Sequence, residues 1–343
     1  MNTVDISSPP AAGPVVALTD VTKRYRRHAI PAVSDVDLTV GARRIVALVG
    51  ESGSGKSTLG RMVVGLLDPT SGDVRVDAEP VVPVKRRRRA RPRRAQMVFQ
   101  DVYGSLNPSQ DIGRQIEEAF LSSHPGSSRG AARARTAVLL ARVGLNPDLY
   151  AARRPDDLSG GQRQRVGIAR ALAGDPSVVI ADEPISMLDV SIRRDVLDLL
   201  VGLRDDEGVS VLYITHDLLS AGYVADDIVV LFRGMVVEQG PAREVLARPR
   251  HPYSRLLAGS SPGLGQEERA RVFLEAPRPR TPWNGEGCPF APRCPFAQEL
   301  CRTTLPPLTV TGRAGDAATT AARCHRLEEL DALVAAREEE ADR

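Results

Sequence analysis

A glycine-rich run in the first third of the chain has the composition of a phosphate-binding loop. Residues Gly50-Glu51-Ser52-Gly53-Ser54-Gly55-Lys56-Ser57-Thr58 fit the pattern G-x-x-x-x-G-K-[ST]. Glycines let the backbone curl so that successive N–H groups point at phosphate oxygens, and the following helix adds its positive end. Lys56 would pair with the β- and γ-phosphates, and the Ser57 hydroxyl would bind Mg²⁺. The run predicts a nucleoside triphosphate site built from Gly50, Ser52, Gly53, Gly55, Lys56, Ser57 and Thr58.

Two adjacent acids follow a short apolar run in the middle of the chain. Asp182 and Glu183 come directly after Val178-Val179-Ile180-Ala181, so we expect them at the carboxyl end of a strand, where open parallel sheets bind ligands. Asp182 would hold the magnesium ion through water, and Glu183 would act as general base on the attacking water. Adjacent acids after a strand are most often a helix cap or a turn. Their spacing from the run at residues 158–162 favours the catalytic interpretation.

The run Leu158-Ser159-Gly160-Gly161-Gln162 makes the general phosphate-loop signal specific. Ser159 has the side chain of a helix N-cap, and its hydroxyl with the neighbouring N–H groups can bind a γ-phosphate. With a basic helix after it and then Asp182 and Glu183, the run resembles the ATP-binding cassette family. The resemblance covers roughly residues 15–325 and implies ATP as the nucleotide. It also implies that Ser159, Gly160, Gly161 and Gln162 contact ATP held by a second subunit, so the expected functional unit is a dimer.

The same resemblance assigns two polar residues that follow predicted strands. Gln100 comes after Met97-Val98-Phe99 and is expected to touch Mg²⁺ or the attacking water while coupling that site to the helical segment after it. His216 comes after Tyr213-Ile214-Thr215 and resembles the switch histidine that senses the γ-phosphate, although a lone histidine is more often a satisfied core or surface residue. The predicted catalytic residues are Glu183, His216 and Gln100, and the predicted Mg²⁺ ligands are Ser57, Gln100 and Asp182.

Two more residues complete the predicted nucleotide site. Tyr25 stands where the family has an aromatic ring that stacks on adenine, with core packing as the alternative. Asp189 corresponds to a loop that crosses the dimer interface near the attacking water. The sequence departs from the usual family pattern at Ile185 and Met187, where threonine and alanine are common. These departures concern the packing of the interface.

Hydrophobic periodicity predicts the elements that position these residues. Val15 to Val40 has the pattern of short antiparallel strands, and Ile45 to Val49 is a strand that ends in the glycine run. Ser57 to Leu67 has helical spacing, and within the segment 101–173 helices are expected at Arg114 to Leu121, Ala131 to Val143 and Gly161 to Ala173. Together with the resemblance, these patterns predict an α/β fold. It comprises a P-loop ATPase core with an antiparallel β subdomain, an inserted helical subdomain and a small cysteine-containing C-terminal extension.

Composition changes along the chain suggest its division into parts. Residues 1–14 are rich in Pro, Ala, Gly and Ser and are expected to be disordered. Residues 15–260 form the predicted nucleotide-binding domain, with the helical subdomain at about 101–173. Residues 261–343 form the predicted C-terminal extension, which follows a Pro-rich linking segment.

Composition also limits the class of protein. Of the 343 residues, 42% are apolar and 26% charged, as in a soluble globular protein. No apolar run reaches about 18 residues and the first fourteen residues lack a signal-peptide layout, so the chain is not expected to enter a membrane unaided. The 46 basic and 43 acidic residues nearly cancel, so no nucleic-acid partner is expected. The basic run from Lys85 to Arg94 is interpreted as a solvated surface segment, with contact to anionic lipid or nucleic acid as the alternative.

Three further stretches resemble one branch of the family, the oligopeptide/dipeptide importer ATPases. They are Tyr103-Gly104-Ser105-Leu106-Asn107-Pro108, His251-Pro252-Tyr253-Ser254-Arg255-Leu256-Leu257 and Gly287-Cys288-Pro289-Phe290-Ala291-Pro292-Arg293-Cys294-Pro295. The segment 60–67 and Tyr103-Gly104-Ser105 resemble the second, or F-type, ATPase of such importers more than the first. The resemblance implies a second ATPase subunit, two permease subunits and an extracytoplasmic substrate-binding protein as partners. It also implies a peripheral location on the cytoplasmic face of the membrane.

Other functions were weighed against peptide import. Nickel, sugars or other small solutes are alternative cargoes, because specificity would lie in the binding protein and permease. A soluble cassette ATPase for DNA repair or translation would carry coiled coils, internal zinc modules or two cassettes, which the sequence lacks. An inactive regulatory subunit is opposed by the intact Lys56, Asp182, Glu183 and His216.

All four cysteines, Cys288, Cys294, Cys301 and Cys324, follow the ATPase region in a segment of low helical and strand potential. Disulfides are disfavoured in a reducing cytoplasm, and a structural zinc site usually has closely spaced cysteine pairs. Related importer ATPases with this cysteine pattern can carry a [4Fe–4S] cluster, so the resemblance implies that the four cysteines hold one. Zinc and unliganded thiols are the alternatives. His325 could replace one ligand, although a bystander role is favoured.

Overall fold

The computed structural model describes residues 13–26, 29–81, 94–261, 273, 283–311 and 319–341. The disorder predicted for the N-terminal segment and the solvation predicted for the basic run fall almost wholly outside these residues. Of the basic run, Arg94 is described, and its guanidinium lies 3.4 Å from Asp77 and 3.7 Å from Glu79. At this one position the positive charge is paired within the chain.

A four-stranded antiparallel sheet precedes and flanks the phosphate loop. Its strand order is β2-β1-β4-β5. The strands are β1 (Val16–Lys23), β2 (Val33–Val40), β4 (Ser71–Val76) and β5 (Glu79–Pro80). This sheet confirms the antiparallel β subdomain predicted from the alternation of apolar residues between Val15 and Val40.

The second sheet has eight strands in the order β11-β12-β10-β9-β3-β8-β7-β6. The five neighbouring strands β9, β3, β8, β7 and β6 are parallel to one another. Strands β10, β12 and β11 extend the sheet from β9, each antiparallel to its neighbour. Because parallel strands share one carboxyl edge, the residues that follow β3, β6, β7 and β8 meet there. The strands are β3 (Ile45–Val49), β6 (Ala95–Val98), β7 (Val178–Asp182), β8 (Ser210–Thr215), β9 (Asp227–Phe232), β10 (Met235–Pro241), β11 (Thr309–Thr311) and β12 (Thr320–Ala322).

Helices cover both faces of the eight-stranded sheet and form the segment between β6 and β7. Five of them lie in that segment: α2 (Val102–Ser105), α3 (Ile112–Ser123), α4 (Arg129–Arg142), α5 (Pro147–Tyr150) and α6 (Gly160–Leu172). The others are α1 (Lys56–Val63), α7 (Val190–Asp205), α8 (Leu218–Val224), α9 (Ala242–Ala247), α10 (Pro252–Gly259), α11 (Glu299–Thr303) and α12 (Leu330–Ala341). In the part of the chain that the structure describes, no helix is both long and apolar enough to cross a membrane.

The central strands divide their side chains between two apolar cores. Along β3, Ile45, Ala47 and Val49 join the core on the side of the helical segment, whereas Val46 and Leu48 join the core under the antiparallel sheet. This division follows from the two-residue period of a strand. All five residues are buried, which explains why β3 reads as a continuous apolar run.

The C-terminal extension adds to the main sheet. Strand β12 pairs with β10 through Glu238 opposite Ala322 and Gln239 opposite Ala321, and β11 pairs with β12. The sequence predicted little regular structure for this segment, so the two strands and α11 differ from that prediction. The reason is tertiary: the free edge of β10 supplies ladder partners to a short segment that has little strand propensity of its own.

Candidate active site

The phosphate loop connects β3 to α1 through backbone conformations that favour glycine. Gly53 has a φ of 80° and Gly55 a φ of 105°, both in the left-handed region. At Gly50 the obstacle is steric, because a Cβ there would lie 2.1 Å from the carbonyl oxygen of Leu231 on β9. The glycines of the predicted phosphate loop are therefore required by its shape and by its close approach to a neighbouring strand.

Lys56 is buried at the start of α1 and folds back over the loop. Its Nζ donates hydrogen bonds to the carbonyl oxygens of Gly50 at 2.7 Å and Glu51 at 2.9 Å. Burial lowers the pKa of Lys56, while the charges of Glu183, Asp182 and Glu51 act in the opposite direction. The ammonium group thus lies among three carboxylates in a cleft that could hold a triphosphate.

Ser57 and Asp182 provide the oxygen ligands of a candidate magnesium site. The Ser57 hydroxyl donates to Asp182 Oδ1 at 3.0 Å across the junction of α1 and β7. Burial raises the pKa of Asp182, the Ser57 hydrogen bond opposes this shift, and Glu183 raises the pKa further. A divalent cation would favour the ionised carboxylate, and hydroxyl and carboxylate oxygens are the donors that Mg²⁺ prefers. The donor set therefore fits the predicted ion.

Glu183 lies against both other residues predicted to be catalytic. Its Oε2 accepts a hydrogen bond from Gln100 Nε2 at 3.1 Å and lies 3.4 Å from His216 Nδ1. Its backbone φ is 46°, which is uncommon for a residue other than glycine. The Glu183 N–H also donates to the Ile214 carbonyl oxygen at 2.9 Å. This anchoring to β8 holds the carboxylate where β6, β7 and β8 end.

These side chains open into one cleft, which we call the nucleotide cleft. Its volume of about 580 Å³ lies within the usual range for small-molecule sites. It is lined by Ala32, Glu51, Ser52, Gly53, Gly55, Lys56, Ser57, Thr58, Gln100, Glu183, His216 and Leu257. Most of the predicted phosphate, catalytic and coupling residues are thus brought together within one chain.

The run at residues 158–162 lies apart from this cleft. Ser159 caps α6: its Oγ accepts from the Gln162 N–H at 3.3 Å, and Gln162 Oε1 accepts from the Ser159 N–H at 3.0 Å. Gly161 is buried, and a Cβ there would lie 2.4 Å from Ile192. Ser159 and Gly160 are exposed. The structure therefore gives this run an ordered, outward-facing helix start that does not line the nucleotide cleft of the same chain.

Tyr25 and Asp189 are likewise outside the cleft lining. Tyr25 is 39% exposed, and the Lys23 ammonium lies 5.6 Å from its ring centroid. Asp189 is exposed at the N-cap of α7. Both side chains are accessible to a ligand or a second subunit. For Tyr25, this exposure disagrees with the alternative of core packing.

Two contacts to the phosphate loop were missed by sequence reasoning. Arg293 Nη1 lies 2.9 and 3.0 Å from the two carboxylate oxygens of Glu51. The Tyr253 hydroxyl accepts a hydrogen bond from the Glu51 N–H at 2.8 Å. Arg293 and Tyr253 both lie in stretches that the sequence singles out, but nothing in the spacing of distant residues indicates contact with the phosphate loop.

The four cysteines line a second, mainly apolar cavity, which we call the cysteine cavity. Its other walls include His251, Phe290 and Phe296. All four thiols are free, and Cys288 and Cys301 are buried. Burial raises the pKa of Cys288 to about 11 and that of Cys294 to about 12. Within the described residues, no group of three or more His, Cys, Asp or Glu side chains has the arrangement of a metal-ion site.

His325 also lines the cysteine cavity and has another partner. Its Nε2 lies 2.9 Å from the Thr304 carbonyl oxygen. This contact occupies one ring nitrogen and is compatible with the bystander role favoured from the sequence.

Two family matches cover most of the ATPase region and part of the extension. Residues 33–186 match the ABC transporter family. Residues 237–301 match the C-terminal region of the oligopeptide/dipeptide transporter family. The second match includes Cys288, Cys294 and Cys301 and ends before Cys324.

Curated relatives extend the similarity over nearly the whole chain. A probable peptide ABC transporter ATP-binding protein of Sinorhizobium fredii is 42% identical over 81% of this chain and 79% of its own length. A di/tripeptide transport ATP-binding protein of Pseudomonas aeruginosa is 38% identical over 92% of this chain and 98% of its own length.

Solved structures share the architecture of the ATPase region. A dimeric ATP-binding cassette in a post-hydrolysis state, bound to ADP and Pi, aligns with a TM-score of 0.58 and 32% identity, covering 66% of this chain and 99% of that one. The cassette CbiO1 of Clostridium perfringens aligns with a TM-score of 0.60 and 26% identity, covering 68% and 91%. With a phosphate loop, an acidic strand end and these relatives, the chain belongs to the ABC transporter family as an ATP-hydrolysing, ATP-binding protein.

Proposed function

We propose that this ATPase energises the import of peptides through separate permease subunits. The observation that carries the ATPase role is the meeting of Lys56, Ser57, Glu183 and His216 in one cleft. The match of residues 237–301 to the C-terminal region of oligopeptide/dipeptide transporters, and the peptide transport named for both relatives, support peptides as the cargo. The similarity of the Pseudomonas aeruginosa relative along nearly the whole chain also supports the F-type assignment, because that relative is named DppF.

The proposed roles follow from the contacts in the nucleotide cleft. Lys56 binds the β- and γ-phosphates, while Ser57 and Asp182 hold Mg²⁺, with Gln100 as a further ligand. Glu183 accepts a proton from the attacking water, and His216, 3.4 Å from Glu183 Oε2, senses the γ-phosphate. Gln100 links Glu183 to the helical segment, so a change at the γ-phosphate can move that segment.

A second ATPase subunit completes the proposed site. Ser159, Gly160, Gly161 and Gln162 form the capped start of α6 and lie outside the nucleotide cleft of their own chain. Their N–H groups and the positive end of the helix suit a γ-phosphate brought by a partner. Asp189 faces the same interface in this proposal, and Tyr25 stacks on adenine.

The proposed assembly places the chain peripherally on the cytoplasmic face of the membrane. Its partners are two permeases, a second ATPase of the same or another sequence, and an extracytoplasmic substrate-binding protein acting through the permeases. Residues 15–260 act as the nucleotide-binding domain, about 101–173 as its helical subdomain, and 261–343 as the extension.

Uptake into proteoliposomes tests the cargo. The chain is co-assembled with candidate permeases and a candidate substrate-binding protein from the same genome, and di- and tripeptides, oligopeptides and Ni²⁺ are supplied separately. We expect ATP-dependent uptake of peptides that is lost in Glu183→Gln. Uptake of Ni²⁺ and not of peptides would replace the proposed cargo while leaving the ATPase assignment intact.

We also propose that the cysteine cavity holds an iron–sulfur cluster. The support is the donor set alone, since four thiols that are separated in sequence line one cavity. In the described residues the thiols do not have the arrangement of a metal-ion site, so binding of a cluster would have to draw them together and remove their protons. Thiolates are the ligands that such a cluster requires, and it would serve to hold the extension together. Anaerobically purified protein should contain iron and absorb broadly in the blue region, and Cys294→Ser should lose both properties. If the protein is colourless and free of iron, and is equally stable after this substitution, the cluster proposal is wrong.

A further inference from the structure

An arginine of the C-terminal extension reaches the phosphate loop. Arg293 lies in a single helical turn, Ala291–Arg293, directly before Cys294. Its Nη1 contacts both oxygens of the Glu51 carboxylate at 2.9 and 3.0 Å, with side-chain exposures of 32% and 43%. The two residues are 242 positions apart in the sequence. A segment outside the P-loop core thus forms an ion pair with the second residue of the nucleotide-binding loop.

Aromatic packing fixes where this arginine can point. The Arg293 guanidinium lies 5.7 Å from the ring centroid of Phe232 and 5.5 Å from that of Phe290. Phe232 ends β9, and Phe290 is 1% exposed in the main core. Guanidinium groups are attracted to aromatic faces, and such stacking reduces the number of side-chain conformers. The guanidinium is therefore held at the loop by groups that do not depend on Glu51.

The backbone of the same loop residue is held by a second C-terminal element. Tyr253, on α10, is fully buried, and its hydroxyl accepts the Glu51 N–H at 2.8 Å. The Tyr253 ring packs on Phe232 and Phe290, with centroid separations of 4.4 and 5.7 Å. The Glu51 carbonyl oxygen in turn accepts from Lys56 Nζ at 2.9 Å. Residues beyond position 250 thus fix both the main chain and the side chain of Glu51. Glu51 in turn is joined by one hydrogen bond to Lys56, the predicted phosphate-binding lysine.

The charge of Glu51 makes this contact important for ATP. Glu51 lines the nucleotide cleft, where an unneutralised carboxylate would repel the triphosphate. We propose that Arg293 supports ATP binding as a charge-compensating residue: it neutralises the Glu51 carboxylate, so that the phosphate loop accepts the triphosphate without repulsion. Arg233 and Lys56 are further cations near this carboxylate, so loss of Arg293 leaves part of the charge compensation in place. The proposal rests on ATP binding and hydrolysis and is independent of the transported cargo and of any group bound by the cysteines.

Binding of MgATP to the purified full-length chain provides the test, with the KM for ATP as a second readout. Arg293→Gln should weaken ATP binding and raise the KM roughly fivefold, the size expected for loss of a well-placed, partly exposed ion pair. Arg293→Glu should have a larger effect because it adds a second negative charge. The control is Arg248→Gln, which removes an Arg–carboxylate pair of 2.7 Å between Arg248, the residue after α9, and Asp331 on α12. That control should leave the ATP affinity unchanged.

Charge compensation separates this role from simple packing. In Glu51→Gln/Arg293→Gln the repelling carboxylate is absent, so the ATP affinity should return to within about twofold of wild type. Glu51→Gln alone should bind ATP at least as tightly as wild type, and it keeps the proposal testable if Arg293→Gln does not fold. An unchanged ATP affinity in folded Arg293→Gln would overturn the proposal. So would a double variant no better than Arg293→Gln, or weaker binding in Glu51→Gln.

Discussion

The nucleotide cleft and the cysteine cavity are built in different ways. Gln100, Glu183 and His216, which line the cleft, and Asp182, which bonds to Ser57 beside it, each stand at or just after the carboxyl end of a strand in one sheet. In the cavity, the thiols come from turns, the short helix α11 and the residues after β12. The cleft is polar and its side chains hydrogen-bond to one another, whereas the cavity lies between aromatic rings and buried thiols.

The difference lies in what brings the residues together. Strand order alone makes the residues after β3, β6, β7 and β8 neighbours. A position at a strand end is therefore enough to bring each of these residues to the site. The cysteine cavity depends on packing of an irregular segment, with Phe290 against Phe232, Tyr253 and His251. The first site should therefore respond to substitutions mainly in activity, and the second mainly in stability.

The largest expected effect is on turnover at the cleft. Glu183→Gln should lower the rate of ATP hydrolysis by about 10²- to 10⁴-fold, because the amide cannot accept the proton of the attacking water. ATP binding and the melting temperature should change little. Glu207→Gln is a suitable control, since Glu207 pairs with Arg142 at 2.6 Å in another part of the molecule. Wild-type hydrolysis by Glu183→Gln would remove Glu183 from its proposed role.

At the cysteine cavity the corresponding effect is on stability. Phe290→Ala should lower the free energy of unfolding by about 3–5 kcal/mol, because it removes a buried ring from the contacts with Phe232, Tyr253 and His251. Chemical denaturation measures this loss. Leu300→Ala, at a position 50% exposed in α11, is the matched apolar truncation and should cost far less. Equal losses in the two variants would contradict a cavity organised by the Phe290 ring.

A buried carboxyl beside the cysteine cavity predicts a pH dependence of stability. Burial raises the pKa of Glu238 from 4.5 to about 7, although the N–H groups of Arg250 and His251 donate to it. Because the folded-state pKa lies above the unfolded value, protonated Glu238 contributes to the free energy of unfolding. This contribution is fully present below pH 4.5 and is lost as the pH rises through about 7. The loss amounts to about 3 kcal/mol over this interval.

Comparison of wild type with Glu238→Gln isolates this group. When the free energy of unfolding is measured between pH 4.5 and 8, it should fall with rising pH in the wild type, and Glu238→Gln should lack the part of this fall that Glu238 causes. If Glu238→Gln keeps the whole fall, Glu238 does not titrate in this interval.

The smallest expected effect concerns two helix caps, which form a closely matched pair of sites. Ser159 accepts the Gln162 N–H at 3.3 Å, and Ser128 accepts the Ala131 N–H at 3.1 Å. Substitution of either serine by alanine should cost about 1 kcal/mol of stability. Only Ser159→Ala should also slow ATP hydrolysis in the dimer, since only its helix start is proposed to meet a partner's ATP. Equal rates in both variants would make Ser159 a structural cap alone.

Sequence reasoning was most successful where a local pattern defines both an element and its chemistry. The glycines at 50, 53 and 55 are dictated by a turn that the sequence motif already specifies, and the structure adds the positive φ values and the close approach of Leu231. The helices α3, α4 and α6 begin and end within about two residues of their predicted bounds, as is usual for helix ends. The antiparallel sheet was predicted from the two-residue period of its strands, and the α/β fold was predicted from the periodic patterns together with the family resemblance.

Tertiary structure alone decided how the C-terminal segment joins this core. No local pattern indicates that β12 extends the main sheet beside β10, or that Arg293 pairs with Glu51 across 242 positions. The sequence determined which residues we propose for the phosphate and proton chemistry, because a strand end and a glycine turn are local properties. The neighbours of the extension are set by free sheet edges and by the fit of aromatic rings, which are properties of the folded surface.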